Sequence, residues 1–162
     1  MNDRFDRRPS AKPAREEYRR RLPHLQAAER PLFVTFCTFE RWTLPDSVRG
    51  LVLRHCLHDH RLKLFMFGAV VMPDHVHLIL KPMDGLTLSR IMKGIKGVSA
   101  NRLNQLRQTS GACWQAESFD RILRNEQEFE EKLQYMLDNP AKAGLASSGW
   151  EYEGWYFNPD FN

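Results

Sequence analysis

The first regular pattern in the chain begins at Leu32. Leu32-Phe33-Val34-Thr35-Phe36-Cys37-Thr38 is dense in β-branched and aromatic residues, which predicts a buried strand. Pro45-Asp46-Ser47 then reads as a helix start, with Val48, Leu51, Val52 and Cys56 at helical spacing toward Asp59. Leu62 to Met72 is predicted as a second strand. Met72-Pro73-Asp74 makes a turn, and His75 to Lys81 a third strand able to pair antiparallel with the second. Past the Pro82-to-Gly85 turn, Leu88, Ile91, Ile95, Val98, Leu103 and Leu106 mark one face of a helix from Thr87 to Arg107. Ser118 to Arg124 is predicted as a fourth strand. Asn125 before Glu126-Gln127-Glu128 is an N-cap with an acid three positions on, opening a helix through Phe129, Leu133, Met136 and Leu137. Asn139-Pro140 is expected to interrupt that helix, with Gly144 a C-terminal stop after a short turn. The order β-α-β-β-α-β-α predicts an α+β domain: a ferredoxin-like, split βαβ antiparallel sheet with helices on one face and one added C-terminal helix. The aromatic tail from Trp150 to Phe161 is expected to pack back on it.

Residues 1–30 lack such a pattern. Rich in Arg, Pro and Ala, they read as an extended basic arm in front of a single domain at 31–162. A chain of 162 residues can bury enough surface to fold without disulfides or structural metals. Cys37, Cys56 and Cys113 are odd in number and form no CxxC pair, which disfavours a secreted disulfide framework and a zinc finger. The longest apolar run, Leu64 to Met72, is far short of the roughly 20 residues of a membrane span, and the N-terminus has no signal-peptide pattern. A soluble, cytoplasmic protein with no membrane partner is therefore expected.

The charge changes this picture by its location. The net charge is +4, and residues 1–25 hold eight Arg/Lys against four acids, which accounts for the whole excess. Gly85 to Ala116 carries five basic residues and no acid, whereas 117–162 carries ten acids and four bases. Such segregation suits either a solvated face or a face for a polyanion. There is no GxGxxG, GxxxxGK or HExxH element, which argues against nucleotide-dependent and zincin chemistry.

The sharpest local feature is His75-Val76-His77 on the third predicted strand. Residues i and i+2 of a strand share a face, so the imidazoles stand side by side while Val76, Leu78 and Leu80 enter the opposite layer. That arrangement suits two metal ligands, and equally a pair of half-buried, hydrogen-bonded histidines. Tyr135 and Asn139, four apart, lie off the apolar stripe of the last helix. Off-stripe, the tyrosine is either an amphipathic residue at the core edge or a nucleophile, with Asn139 a neutral oxygen ligand one turn later. The cluster His55, Cys56, His58 and His60 fans around a helix axis and is a poor metal site. Asp74 is placed to shape the turn or orient a histidine.

Taken together, the His75/His77 pair, Tyr135-Met-Leu-Asp-Asn139-Pro140-Ala-Lys-Ala-Gly144-Leu145, Trp114-Gln115 and Ser118-Phe119-Asp120-Arg121-Ile122-Leu123-Arg124 resemble the tyrosine transposases of the HUH single-strand nuclease superfamily, and within it the REP-associated branch. The resemblance runs from about Arg20 to Leu145 in the family's order. It implies a DNA strand transferase with a divalent ion, Mg²⁺ or Mn²⁺, held by His75 and His77 and completed by Asn139; imidazole ligation favours Mn²⁺. It further implies that Tyr135 attacks phosphorus to give a 5′-phosphotyrosine link and a free 3′-hydroxyl, conserving the bond for rejoining. The partner it implies is single-stranded DNA with a hairpin, and it leaves monomer and homodimer both open. Arg90, Lys93, Lys96 and Arg102 on the long helix, Arg121 and Arg124 before the last one, and Arg19, Arg20 and Arg21 in the arm are candidate phosphate contacts. The competing reading is a catalytically silent ferredoxin-like module that binds DNA or RNA on its sheet.

Overall fold

A computed structural model describes residues 30–160. The expected arm, including Arg19, Arg20 and Arg21, lies outside the described residues. The strands are β1 (Leu32–Cys37), β2 (Leu64–Val71), β3 (His75–Pro82), β4 (Phe119–Ile122) and β5 (Trp155–Phe157), and the α-helices are α1 (Asp46–Leu57), α2 (Leu88–Arg107) and α3 (Glu126–Lys142). All strand pairs are antiparallel, in the order β4-β1-β3-β2-β5. The first four strands form the expected ferredoxin-like sheet. The aromatic tail does more than pack back, because Trp155–Phe157 pairs with β2 as a fifth strand.

Strict alternation along β1 and β3 sorts the side chains into two layers. Val34, Phe36, Val76, Leu78 and Leu80 point to α1 and α2, where Val52, Cys56, Ile91, Ile95 and Leu103 complete one core. Phe33 and Ile79 point the other way, into a second core with Phe129, Leu133 and Met136 of α3. The added helix therefore lies on the face opposite α1 and α2. A bulge between Met66 and Gly68 breaks the alternation of β2. It lets Phe67 and Val70, three positions apart, both face α3.

Helix α3 begins as its sequence dictates. The Asn125 side chain accepts from the Glu128 backbone N–H at 2.9 Å, and the Glu128 carboxylate accepts from the Arg124 N–H at 2.9 Å. Its end differs from expectation, since the helix continues through Pro140 to Lys142. Pro140 sits in the last turns, where its missing N–H costs one helical bond, and its ring is buried against the domain. The stop comes at Gly144, whose φ of +70° lets the Leu145 N–H reach back to the Pro140 carbonyl at 2.9 Å. The chain then crosses the helix end at Gly149, where a Cβ would run into the Leu137 carbonyl oxygen. Only glycine allows that crossing, which clamps the end of α3 from outside.

Candidate active site

Three elements converge on the α3 side of the sheet. β1 supplies Phe33 and Thr35, β3 supplies His75 and His77, and α3 supplies Lys132, Tyr135 and Asn139. Register places Thr35 directly across from His77, and Cys37 across from His75. The two imidazole centroids are 4.7 Å apart. His77 stacks on Phe33 at 5.3 Å, and the Tyr135 ring stands edge-on to His77 at 5.4 Å. The structure thus brings Tyr135 to the histidine pair, across 58 residues of chain from His77. Tyr135 is 43% exposed.

Each histidine is held by one ring nitrogen. His75 Nδ1 lies 2.7 Å from Asp74 Oδ1, and since a carboxylate only accepts, that nitrogen donates the hydrogen bond and Nε2 is the ring nitrogen turned away from Asp74. His77 Nδ1 lies 2.7 Å from Thr35 Oγ1. Its Nε2 is buried with no hydrogen-bond partner among the described residues. Burial first, then the neighbouring His75 and Lys132, pushes His77 down to about 3, so the ring is neutral at physiological pH. Asn139 sits one helical turn beyond Tyr135, and its amide nitrogen is also buried without a partner. Rotating the amide puts its oxygen in that same position.

Asp74 is itself braced. Arg41 Nη2 lies 2.9 Å from Asp74 Oδ2, and Arg41 Nη1 donates to Cys37 Sγ at 2.7 Å. The Asp74 carbonyl accepts from Thr38, through its backbone N–H at 2.9 Å and its hydroxyl at 3.2 Å. Glu40 and Arg41 adopt left-handed φ of 50° and 57° to deliver the guanidinium. Two consecutive non-glycine residues in that region cost about 1 kcal/mol or more each, strain of the kind that collects at functional sites. His75 and His77 lie side by side and could hold a divalent ion through their Nε2 atoms, with Asn139, one turn beyond Tyr135, able to offer an amide oxygen. Among the described residues no group of three or more His, Cys, Asp and Glu could hold a metal.

The other candidates are scattered. Arg90, Lys93 and Arg102 are exposed on α2, across the sheet from Tyr135. Lys96 is committed to structure: its ammonium donates to the carbonyls of Gln115, Ala116 and Glu117 at 3.0, 3.2 and 3.3 Å. Arg121 pairs with Glu128 at 3.2 Å, and Arg124 is exposed. His60 accepts the Met66 N–H and belongs to the fold. Sequence reasoning missed Arg41, Thr35, Phe33 and Phe119. The alternation of β1 places Phe33 and Thr35 on one face, but only register reveals that this face is the histidine face. Phe119, 62% exposed, stands in the same row opposite Thr35.

The family model described as "Transposase IS200 like" matches residues 47–135, more than half the chain. The chain belongs to the IS200-like transposase family. The matched span runs from the first turn of α1 to Tyr135, taking in the histidine strand and ending on α3. Among solved structures, a REP-associated tyrosine transposase bound to a REP hairpin is 19% identical, covering 78% of this chain and 74% of its own, with a TM-score of 0.63. That likeness is one of fold, and it agrees with the five-stranded sheet and its helices. A candidate transposase from Deinococcus radiodurans R1 is 22% identical, covering 66% of this chain and 88% of its own, with a TM-score of 0.49. No curated protein matches. No helix of this transposase-family chain, among the described residues, is long and apolar enough to cross a membrane.

Proposed function

We propose that this chain nicks and rejoins single-stranded DNA beside a hairpin through a covalent 5′-phosphotyrosine link on Tyr135. The observation that carries the proposal is the contact of the exposed Tyr135 ring with His77, itself beside His75, in a chain of transposase family. The hairpin is taken from the solved relative, which is bound to one. The Tyr135 hydroxyl oxygen bonds to phosphorus as the P–O3′ bond breaks. The phenol proton passes to water, and the bonding pair leaves with O3′, which takes up a proton to become a free 3′-hydroxyl. Attack by another 3′-hydroxyl reverses these bond changes and rejoins the strand. His75, His77 and Asn139 would hold Mg²⁺ or Mn²⁺, which when bound supplies Lewis-acid polarisation of the scissile phosphate. Phe119 offers an exposed ring on the same face for a base to stack on, and the basic arm before the single catalytic domain at 31–162 offers salt-sensitive grip.

The test is incubation with end-labelled hairpin oligonucleotides and Mn²⁺. A covalent adduct that forms on single strands and needs both metal and Tyr135 is expected. Its absence across a panel of hairpins with varied flanks would leave the silent binding module as the better reading. That module gives no reason for an exposed tyrosine to stand against a histidine whose buried Nε2 lacks a partner among the described residues.

The brace on His75 makes a separate prediction. Arg41→Ala frees the Asp74 carboxylate and with it the tautomer of His75, so Mn²⁺ affinity measured by electron paramagnetic resonance is expected to fall about 10-fold. An unchanged affinity would mean that Arg41 only shapes the loop.

A further inference from the structure

Lys132 lies at the centre of the site and is used by none of the contacts described so far that hold the fold. It precedes Tyr135 by three residues on α3, so the two side chains leave the same flank of the helix. Its ammonium sits 4.9 Å from the Phe33 ring centroid and 5.4 Å from that of Tyr135. Both lie within the range of cation–π attraction, which holds the charge over the rings without neutralising it. The same charge is felt at His77, where it contributes to keeping the imidazole neutral.

Its neighbours among the basic residues are spent. Arg121 pairs with Glu128, and Arg41 pairs with Asp74. Among the described residues Lys132 has neither an ion pair nor a hydrogen bond, although Glu128 and Glu131 stand one helical turn and one position away. Those two carboxylates are engaged by Arg121 and Gln127. A half-buried lysine whose ammonium rests on two aromatic faces, beside a nucleophile and the histidine pair, is a receptor for an anion.

We infer that Lys132 is a catalytic residue that binds a non-bridging oxygen of the scissile phosphate and stabilises the negative charge gathering there as Tyr135 bonds to phosphorus. The inference rests on the strand-transfer reading and deepens it. His75 and His77 stand on the sheet and Lys132 on the helix, so charge that develops on a phosphate between them is met from both sides. Lys132 takes no proton in this role. The bonds formed and broken remain Tyr135 Oη–P and P–O3′, with the proton transfers to and from water given above.

Two variants separate charge from packing. Lys132→Met keeps an unbranched stem over Phe33 and removes the cation, whereas Lys132→Arg keeps the cation. In single-turnover adduct formation on a labelled hairpin oligonucleotide, Lys132→Met is expected to slow the step about 100-fold and Lys132→Arg to recover most of that loss. Mn²⁺ affinity, read by electron paramagnetic resonance, should not fall in either variant, which a merely structural role would not predict. A second readout needs no cleavage. In a Tyr135→Phe background, adding Lys132→Met should reduce the salt slope of single-strand binding by about 0.7, the loss of one phosphate contact.

A Lys132→Met rate within about threefold of the parent, or a parallel loss of Mn²⁺ affinity, overturns the assignment. Should the unmodified chain form no Tyr135-dependent adduct, the strand-transfer reading falls by itself. The salt slope then decides the binding half of the inference, and an unchanged slope overturns that as well.

Discussion

Tyr135→Phe is expected to remove the covalent protein–DNA adduct altogether while leaving hairpin binding within about twofold, because the change deletes the attacking oxygen and nothing else. The hydroxyl is dispensable for the fold: the residue is exposed, and its contacts with His77, Phe33 and Lys132 are all made by the ring. Phenylalanine keeps those contacts, so the variant should melt at the temperature of the parent. Denaturing gel electrophoresis of labelled substrate reads the adduct, and fluorescence anisotropy reads binding. An adduct persisting in Tyr135→Phe would mean that another side chain attacks phosphorus, and the assignment of the nucleophile would be lost.

The second large effect concerns stability. Phe129 is fully buried one turn into α3 and meets Phe67 edge-to-face at 5.3 Å. With Leu133 and Met136 it forms the stripe by which the helix rests on the sheet. Phe129→Ala should cost about 3–5 kcal/mol, part of it for the cavity left between helix and bulged strand. For a chain of this size that is a fall in Tm of about 10 °C, read by circular dichroism. Adduct formation should fall too, since Tyr135 keeps its place against His77 only while α3 is seated. A shift of less than about 3 °C would show that the helix is anchored elsewhere, at the Gly149 crossing or through β5.

Much of the site was legible before the fold was known, for physical reasons that can be named. The period of two in His75-Val76-His77 puts both imidazoles on one face whatever the sheet around them. The spacing of four puts Tyr135 and Asn139 on one flank, and the cap at Asn125 fixes where their helix begins. Other features were misjudged. Pro140 reads locally as a break, yet one lost hydrogen bond near a helix end is outweighed by burying the ring, and α3 runs on to Lys142. Lys96 reads as a phosphate contact until the loop at 115–117 is folded against it.

By itself the sequence determined which side chains share a face along β1 and β3, where α3 begins, and that the domain is an α+β sheet of ferredoxin-like order. These depend on contacts a few residues apart, and local stereochemistry governs them. Tertiary structure alone decided that α3 lies on the histidine face of the sheet, that Thr35 rather than a neighbour meets His77, that Arg41 braces Asp74, and that Lys132 hangs over Phe33 beside the nucleophile. Those relations join segments tens of residues apart. They are set by strand register, by the bulge in β2 and by which core each helix completes, and no short stretch of chain contains that information.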